Sequence, residues 1–130
     1  MLEILVVDDE PTVRRIMRVA LAKAGYKVSV AENGEAALAA IREQAPDVLI
    51  TDIEMPRMDG RALCAAIKKE FPYRAFPIFV VTSLTAREHR EWSEEIPNLH
   101  FLEKPVSIRQ LTARLTESVG TETVIMKVGR

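Results

Sequence analysis

The chain of 130 residues is long enough for one compact domain and too short for two ordinary ones. Hydrophobic residues make up 48% of it, which supports a sizeable core and disfavours intrinsic disorder. The 18 lysines and arginines against 19 aspartates and glutamates give no support for a strongly basic nucleic-acid binder, and one cysteine excludes an internal disulfide.

The chain carries no pattern typical of a targeting or membrane segment. Residues 4–7 are apolar, but no basic region precedes them as in a signal peptide. No stretch approaches the roughly 18 apolar residues of a membrane-spanning helix, and a lone thiol fits a reducing compartment. We therefore expect a cytoplasmic protein without membrane insertion.

The first predicted elements are a strand and a helix. The continuous apolar run of residues 4–7 is typical of a strand buried on both faces. Pro11 suits the first turn of the helix that follows, and Gly25 ends that helix. The apolar positions of this helix recur at spacings of three and four residues: Val13, Ile16, Met17, Ala20, Leu21 and Ala24.

The middle of the chain continues the alternation. Residues 27–31 predict a second strand, residues 35–44 a helix that Pro46 ends, and residues 48–51 a third strand that stops at Asp52. After a loop rich in proline and glycine, a third helix is indicated by Leu63, Ala66, Ile67 and Phe71. The remaining predicted strands are residues 77–82 and 100–103, separated by a very polar helix over residues 85–95.

A fifth helix follows, with Ser107 as its predicted cap. Its apolar positions are Ile108, Leu111, Leu115 and Val119. We expect one domain over residues 1–120 and a tail over residues 121–130, which has some strand propensity. This tail is interpreted as an extra edge strand, a partner-binding segment or a frayed end. About eleven residues beyond the fold are too few for an effector domain, so we expect the output to lie on another molecule.

Five strands alternating with five helices predict an α/β fold, with a parallel sheet covered by helices on both faces. In such a sheet, ligands bind outside the carboxyl ends of the strands. Asp8 and Asp9 follow the first strand, Asp52 ends the third, Thr82 ends the fourth, and Lys104 follows the fifth. Three carboxylates and one ammonium at the same edge leave a net negative charge, and the carboxylates repel one another. Mg²⁺, a cation that prefers oxygen ligands, would neutralise this charge.

Each of these residues also has an ordinary structural interpretation. Asp8 and Asp9 before a proline can cap a helix, and Asp52 can begin a turn. Thr82, with Ser83, can be the cap of the helix that follows. Their joint placement at four strand ends favours a functional site over these separate roles.

Four motifs resemble the receiver domain of two-component response regulators, and particularly the single-domain chemotaxis regulators. They are Val6-Val7-Asp8-Asp9-Glu10, Asp52-Ile53-Glu54-Met55-Pro56-Arg57-Met58-Asp59-Gly60, Val81-Thr82-Ser83 and Glu103-Lys104-Pro105. The intervals of 43, 30 and 22 residues from Asp9 to Asp52, Thr82 and Lys104 match as well. The resemblance covers about residues 2–119. It implies a flavodoxin-like, doubly wound three-layer sandwich with strand order 2-1-3-4-5.

The resemblance also implies a phosphorylation site. Asp52 would accept a phosphoryl group from a histidine kinase or a histidine phosphotransfer protein. Asp9, Asp52 and the backbone carbonyl of Glu54 would ligate Mg²⁺, and Asp8 would act through a metal-bound water. Such a site stabilises a loose transition state mainly by positioning and charge neutralisation.

A conformational switch is implied by the same resemblance. Lys104 and Thr82 would contact phosphoryl oxygens, and Thr82 would move inward while Phe101 swings between exposed and buried positions. Phe101 could instead be an ordinary edge-strand aromatic. The signal would leave through the fourth helix, fifth strand and fifth helix to an unknown downstream protein. We expect no direct nucleic-acid partner, and a monomer or a phosphorylation-dependent dimer.

A few side chains outside this set keep more than one interpretation. Cys64 is expected to fill the core, and His89 and His100 to be surface or edge residues. Trp92 could anchor the polar fourth helix or mark a partner site. The arginines Arg14, Arg15 and Arg18 are expected on the exposed side of the first helix, either solvated or docking the phosphodonor.

The leading hypothesis is a signalling switch that catalyses only its own phosphoryl transfer and autodephosphorylation. One alternative is a phosphorylation-independent scaffold with the receiver fold, against which the intact site residues argue. Another is a phosphatase with an aspartyl nucleophile. That enzyme would need an Asp-x-Asp-x-Thr signature, where this chain has Asp8-Asp9-Glu10-Pro11-Thr12.

Overall fold

The computed structural model describes residues 1–83 and 90–128, in which five strands alternate with five helices. The strands are β1 (Glu3–Val7), β2 (Lys27–Ala31), β3 (Val48–Asp52), β4 (Ile78–Thr82) and β5 (Leu99–Glu103). The helices are α1 (Pro11–Lys23), α2 (Gly34–Glu43), α3 (Gly60–Glu70), α4 (Arg90–Ser93) and α5 (Ile108–Val128). The predicted α/β alternation is confirmed, with small differences at the ends of elements.

The sheet is parallel throughout, and its strand order is β2-β1-β3-β4-β5. Val7 pairs with both Ala31 and Thr51, and Asp52 pairs with Val81. Because the last residues of neighbouring strands are in register, their carboxyl ends meet at one edge of the sheet. The predicted flavodoxin-like topology is confirmed.

The core lies in two layers, one on each face of the sheet. Alternate residues of a strand point to opposite faces, and in β4 Val80 faces the α2 and α3 layer while Phe79 faces the α1 and α5 layer. Every residue of β3 is buried, as expected for a strand with helices on both sides. Cys64 of α3 is fully buried, and burial raises the pKa of its thiol to about 12, so it fills the core as predicted.

The apolar stripe predicted for α1 is only partly correct. Leu21 is fully buried and Met17 packs against the same core layer, but the side chain of Ile16 is 56% exposed. Ala24, the last position of the predicted stripe, is exposed as well. This helix packs against β1, β2 and α5, and that contact covers a narrower face than the sequence pattern suggests.

Three further expectations concern the second half of the chain. Ser107 caps α5 as predicted, because its Oγ accepts a hydrogen bond from the Gln110 N–H at 3.0 Å. Residues 121–128 continue α5 and do not form the extra edge strand that was one alternative. Of the helix predicted over residues 85–95, residues 85–89 and His89 with them lie outside the described residues. No helix in the described ranges is long and apolar enough to cross a membrane.

Candidate functional site

The carboxyl ends of β1 and β3 bring three aspartates together. One carboxylate oxygen from each of Asp8, Asp9 and Asp52 lies within 4.8 Å of the other two. Asp8 and Asp52 are each only 8% exposed, whereas Asp9 is exposed. The arrangement follows from the topology, because β1 and β3 are neighbours although Asp8 and Asp52 are far apart in sequence.

Lys104, which follows β5, reaches across the edge of the sheet to the same cluster. Its Nζ lies 3.1 Å from Asp52 Oδ1, and this oxygen also accepts a hydrogen bond from the Ile53 N–H at 2.8 Å. Partial burial lowers the pKa of Lys104, but the hydrogen bond and charge of Asp52, with the charges of Asp8 and Glu10, outweigh burial and raise the pKa overall. The ammonium is therefore held in its charged form.

Among the three aspartates, Asp8 has a carboxyl whose pKa is raised above its ordinary value. Burial raises the pKa of Asp8, and the charges of Asp52 and Asp9 act in the same direction, while the Glu10 N–H and the charge of Lys104 oppose the shift. The Glu10 N–H donates to Asp8 Oδ1 at 2.9 Å. Asp8 is not the cap of α1, since that position belongs to Glu10. A cation bound between the carboxylates would relieve the repulsion.

Arg14 belongs to this region and was placed incorrectly from the sequence. Its Nη1 donates a hydrogen bond to the Asp8 carbonyl at 2.8 Å, and the side chain is half-buried, not exposed as predicted. Arg15 and Arg18 are exposed, in agreement with the prediction. Its place in the sequence could have indicated this contact, because Arg14 lies in the first turns of a helix that starts directly after the acidic end of β1.

The loop after β3 is fixed to the site by close backbone contacts. The Gly60 N–H donates to the Ile53 carbonyl at 2.8 Å, and a Cβ on residue 60 would lie 2.2 Å from the Asp52 carbonyl oxygen. Only glycine allows this approach. Asp59 caps α3 by accepting the Ala62 N–H at 2.8 Å. The loop thus holds the exposed residue Glu54 beside the carboxylates.

These elements surround an open cleft of about 600 Å³. Its walls include Asp9, Asp52, Glu54, Thr82 and Lys104, so five of the predicted site residues share one cavity. Thr82 is buried at 4% exposure. The donor set is made of carboxylate oxygens and nearby backbone carbonyls, which are the ligands that Mg²⁺ prefers.

The other predicted switch residue, Phe101, lies away from this cleft. It is half-buried and packs against the core layer of α2 and α3. Trp92 packs against the same layer and meets Phe101 edge to face, which supports the anchoring role expected for this tryptophan. His100, on the opposite side of β5, is half-buried and stacks on Phe79 with ring centroids 5.1 Å apart.

Comparison of the sequence with known proteins agrees with the fold. The family model described as response regulator receiver domain matches residues 4–116. The chain is 38% identical over 113 residues to the probable transcriptional regulator ycf27 of Pyropia yezoensis, covering 87% of this chain and 45% of that protein. It is 34% identical to the DNA-binding transcriptional regulator NtrC of Salmonella typhimurium, covering 88% and 24%. The chain thus spans less than half the length of these curated relatives.

Solved structures are similar as well. The chemotaxis protein CheY4 of Vibrio cholerae superposes with a TM-score of 0.83 at 30% identity, over 91% of this chain and 98% of that one. The response regulator TrrA of Thermotoga maritima, solved with Mg²⁺ and BeF, has a TM-score of 0.78 at 30% identity, over 90% and 98%. With the parallel five-stranded sheet and the acidic strand ends, these matches establish that the chain belongs to the receiver-domain family of two-component response regulators.

Proposed function

We propose that this chain is a phosphorylation-activated switch in which Asp52 is the phosphoacceptor. Receiver domains act in general as phosphorylation switches, and histidine kinases phosphorylate them. The observation that carries the assignment to Asp52 is its position: it is buried at the mouth of the cleft, paired with Lys104 at 3.1 Å, and within 4.8 Å of two further carboxylates. Asp52 is thus the acidic side chain that the other groups surround.

The chemistry follows from these contacts. A carboxylate oxygen of Asp52 would attack the phosphorus of a phosphohistidine, and the phosphorus–nitrogen bond would break with its electron pair leaving on the histidine. Lys104 would then pair with a phosphoryl oxygen, and Thr82 would donate its hydroxyl hydrogen to another. Water attack on the same phosphorus would return Asp52 to its carboxylate and release phosphate. This site therefore acts on its own phosphoryl group and is not an enzyme for a separate substrate.

The acidic cluster supports a Mg²⁺ requirement for this transfer. We assign Asp8, Asp9, Asp52 and the Glu54 carbonyl as the residues that would hold the ion, with Asp8 acting through a bound water. Bound there, Mg²⁺ supplies positive charge to the transferring phosphoryl oxygens. Burial raises the pKa of Asp8 first, and the charges of Asp52 and Asp9 add to it, so a cation bound beside these carboxylates would favour the charged form of Asp8.

The output side of the proposal concerns Thr82, Phe101 and the surface formed by α4, β5 and α5. Thr82 moving toward the phosphoryl group would displace the end of β4, and Phe101 would change its position on the neighbouring strand. We propose that this surface controls a separate protein in the cytoplasm without direct nucleic-acid contact, and that residues 1–120 are the unit that does so. The DNA binding named for NtrC belongs to a protein of which this chain covers 24%.

Intact-mass measurement after incubation with acetyl phosphate and Mg²⁺ tests the proposal. We expect the wild-type chain to gain one phosphoryl group, Asp52→Asn to gain none, and the control Asp47→Asn to behave as wild type. Asp47 is an exposed aspartate whose carboxylate accepts the Glu3 N–H, a bond that asparagine can keep. No mass gain from acetyl phosphate or from phosphorylated kinases would favour the phosphorylation-independent scaffold.

A further inference from the structure

Three side chains form a continuous contact from the start of α3 to β5. The guanidinium carbon of Arg61 lies 5.9 Å from the centroid of the Trp92 ring. Trp92 meets Phe101 edge to face, with ring centroids 6.1 Å apart and an angle of 84° between the planes. Both geometries are attractive, the first as a cation–π contact and the second as a T-shaped aromatic pair. We call Arg61, Trp92 and Phe101 the aromatic clamp.

The first member of the aromatic clamp is tied to the phosphoacceptor through the backbone. Arg61 follows Gly60, whose N–H donates to the Ile53 carbonyl at 2.8 Å. The Asp52 carbonyl oxygen approaches Gly60 so closely that a Cβ there would lie 2.2 Å away. Close-packed backbone of this kind transmits displacement, so a shift of residues 52–53 carries the first turn of α3 and Arg61 with it.

The last member is the proposed switch residue. Phe101 is half-buried against the layer that also packs Trp92, and Val80 of β4 is its partner in the sheet. In the conformation described, Lys104 pairs directly with the Asp52 carboxylate. This is the arrangement that precedes phosphoryl transfer, because a phosphoryl group on Asp52 would take over the contact with Lys104.

We infer that Arg61 and Trp92 are positioning residues that hold Phe101 in this pre-transfer conformation and thereby set the threshold of the switch. The inference rests on the proposed function and extends it. A ligand shifts a two-state equilibrium only through contacts that differ between the states. Movement of Phe101 breaks its contact with Trp92, so the clamp opposes the switch and weakening the clamp favours it.

Binding of beryllofluoride with Mg²⁺, a mimic of the phosphoryl group, tests the aromatic clamp. Trp92 is the only tryptophan and contacts Phe101, so we expect its fluorescence to change when binding of the mimic moves Phe101. Removing the exposed cation–π contact in Arg61→Gln should tighten binding of the mimic by about two- to fivefold. Arg61→Lys keeps a cation and should stay near wild type, as should Lys68→Gln, which removes an exposed cation from the same helix.

The sign of the effect separates the clamp from simple electrostatics. Losing a positive charge near an anionic mimic would by itself weaken binding, whereas the clamp predicts tighter binding. In a Phe101→Ala background, Arg61→Gln should have no further effect on the Kd of the mimic. A merely structural role for Arg61 would change Tm and leave this Kd unchanged.

Two failures remain distinguishable. If the wild-type chain gains no phosphoryl group and binds no beryllofluoride, the proposed function is wrong and the clamp with it. If wild type binds the mimic and Arg61→Gln binds it equally or more weakly, the clamp is overturned while the assignment of Asp52 stands.

Discussion

Asp8→Asn should stabilise the metal-free protein, although it removes a residue of the proposed metal site. The Asp8 carboxylate is 8% exposed and lies within 4.8 Å of Asp52. Two unit charges at that distance repel by about 3.5 kcal/mol at an effective dielectric constant of roughly 20. Lys104 offsets part of this repulsion, and asparagine can still accept the Glu10 N–H. We therefore expect a net gain of about 1–2 kcal/mol.

The assay is thermal unfolding in EDTA and again with excess Mg²⁺. In EDTA, the expected gain corresponds to a rise in Tm of roughly 3–10 °C for a domain of this size. In wild type, Mg²⁺ at about 100 times its Kd should add about 2.7 kcal/mol, and Asp8→Asn should lose most of that addition. The pKa of Asp8 is higher in the folded than in the unfolded protein, so the folded state binds this proton more tightly. Wild type should therefore gain stability relative to the variant as pH falls toward 3.8, the ordinary pKa of an aspartate.

Glu43→Gln is the matched control, since it removes an exposed acidic charge from α2, remote from the strand ends. This variant should respond to Mg²⁺ as wild type does. The reasoning is refuted if Asp8→Asn lowers Tm in EDTA, or if Mg²⁺ stabilises it as strongly as it stabilises wild type.

Three further predictions concern other parts of the fold. Gly60→Ala forces a Cβ against backbone atoms of residues 52 and 53, and should cost about 1–3 kcal/mol in urea unfolding and weaken Mg²⁺ binding. Ser107→Ala removes the cap of α5 and should cost about 1 kcal/mol, whereas Ser118→Ala, an exposed serine in the same helix, should cost nothing. Burial and the charge of Arg114 lower the pKa of His100, so its contribution to stability is present above pH 6.5 and is lost as pH falls from there through the folded pKa. Urea unfolding between pH 7 and pH 5 should show this loss in wild type and a smaller one in His100→Phe.

The strand ends could be predicted because they depend on local patterns. The largely apolar run of residues 48–51 indicates a buried strand. Asp52 comes directly after this run, and its place at the carboxyl end of a strand puts it at the edge of the sheet. The order of the strands could be predicted only from the resemblance to receiver domains. The contact between Asp52 and Lys104 depends on that order. Local rules sufficed for Ser107 as well, since capping involves residues three positions apart.

The sequence was a poorer guide wherever tertiary packing decided the outcome. The exposure of Ile16 depends on how much of α1 its neighbours cover, and periodicity records only that a helix has an apolar face. Arg14 was missed because its hydrogen bond to the Asp8 carbonyl joins a helix to the loop before it. The Arg61–Trp92 contact joins two helices whose orientation no spacing in the sequence reveals.

The parallel register that aligns the strand ends has a consequence for folding. Asp8 and Lys104 are 96 residues apart, and the residues between them include the whole of β2, β3, β4 and β5. A chain emerging from the ribosome has all three aspartates long before it has Lys104, and a chain that has lost β5 has lost the counter-charge. Contacts of such long sequence separation carry a larger loop-closure entropy and slow folding. Under the proposed function, phosphoryl transfer needs both the aspartates that follow β1 and end β3 and the Lys104 that follows β5, so we expect a chain that has not formed β5 to take up a phosphoryl group poorly.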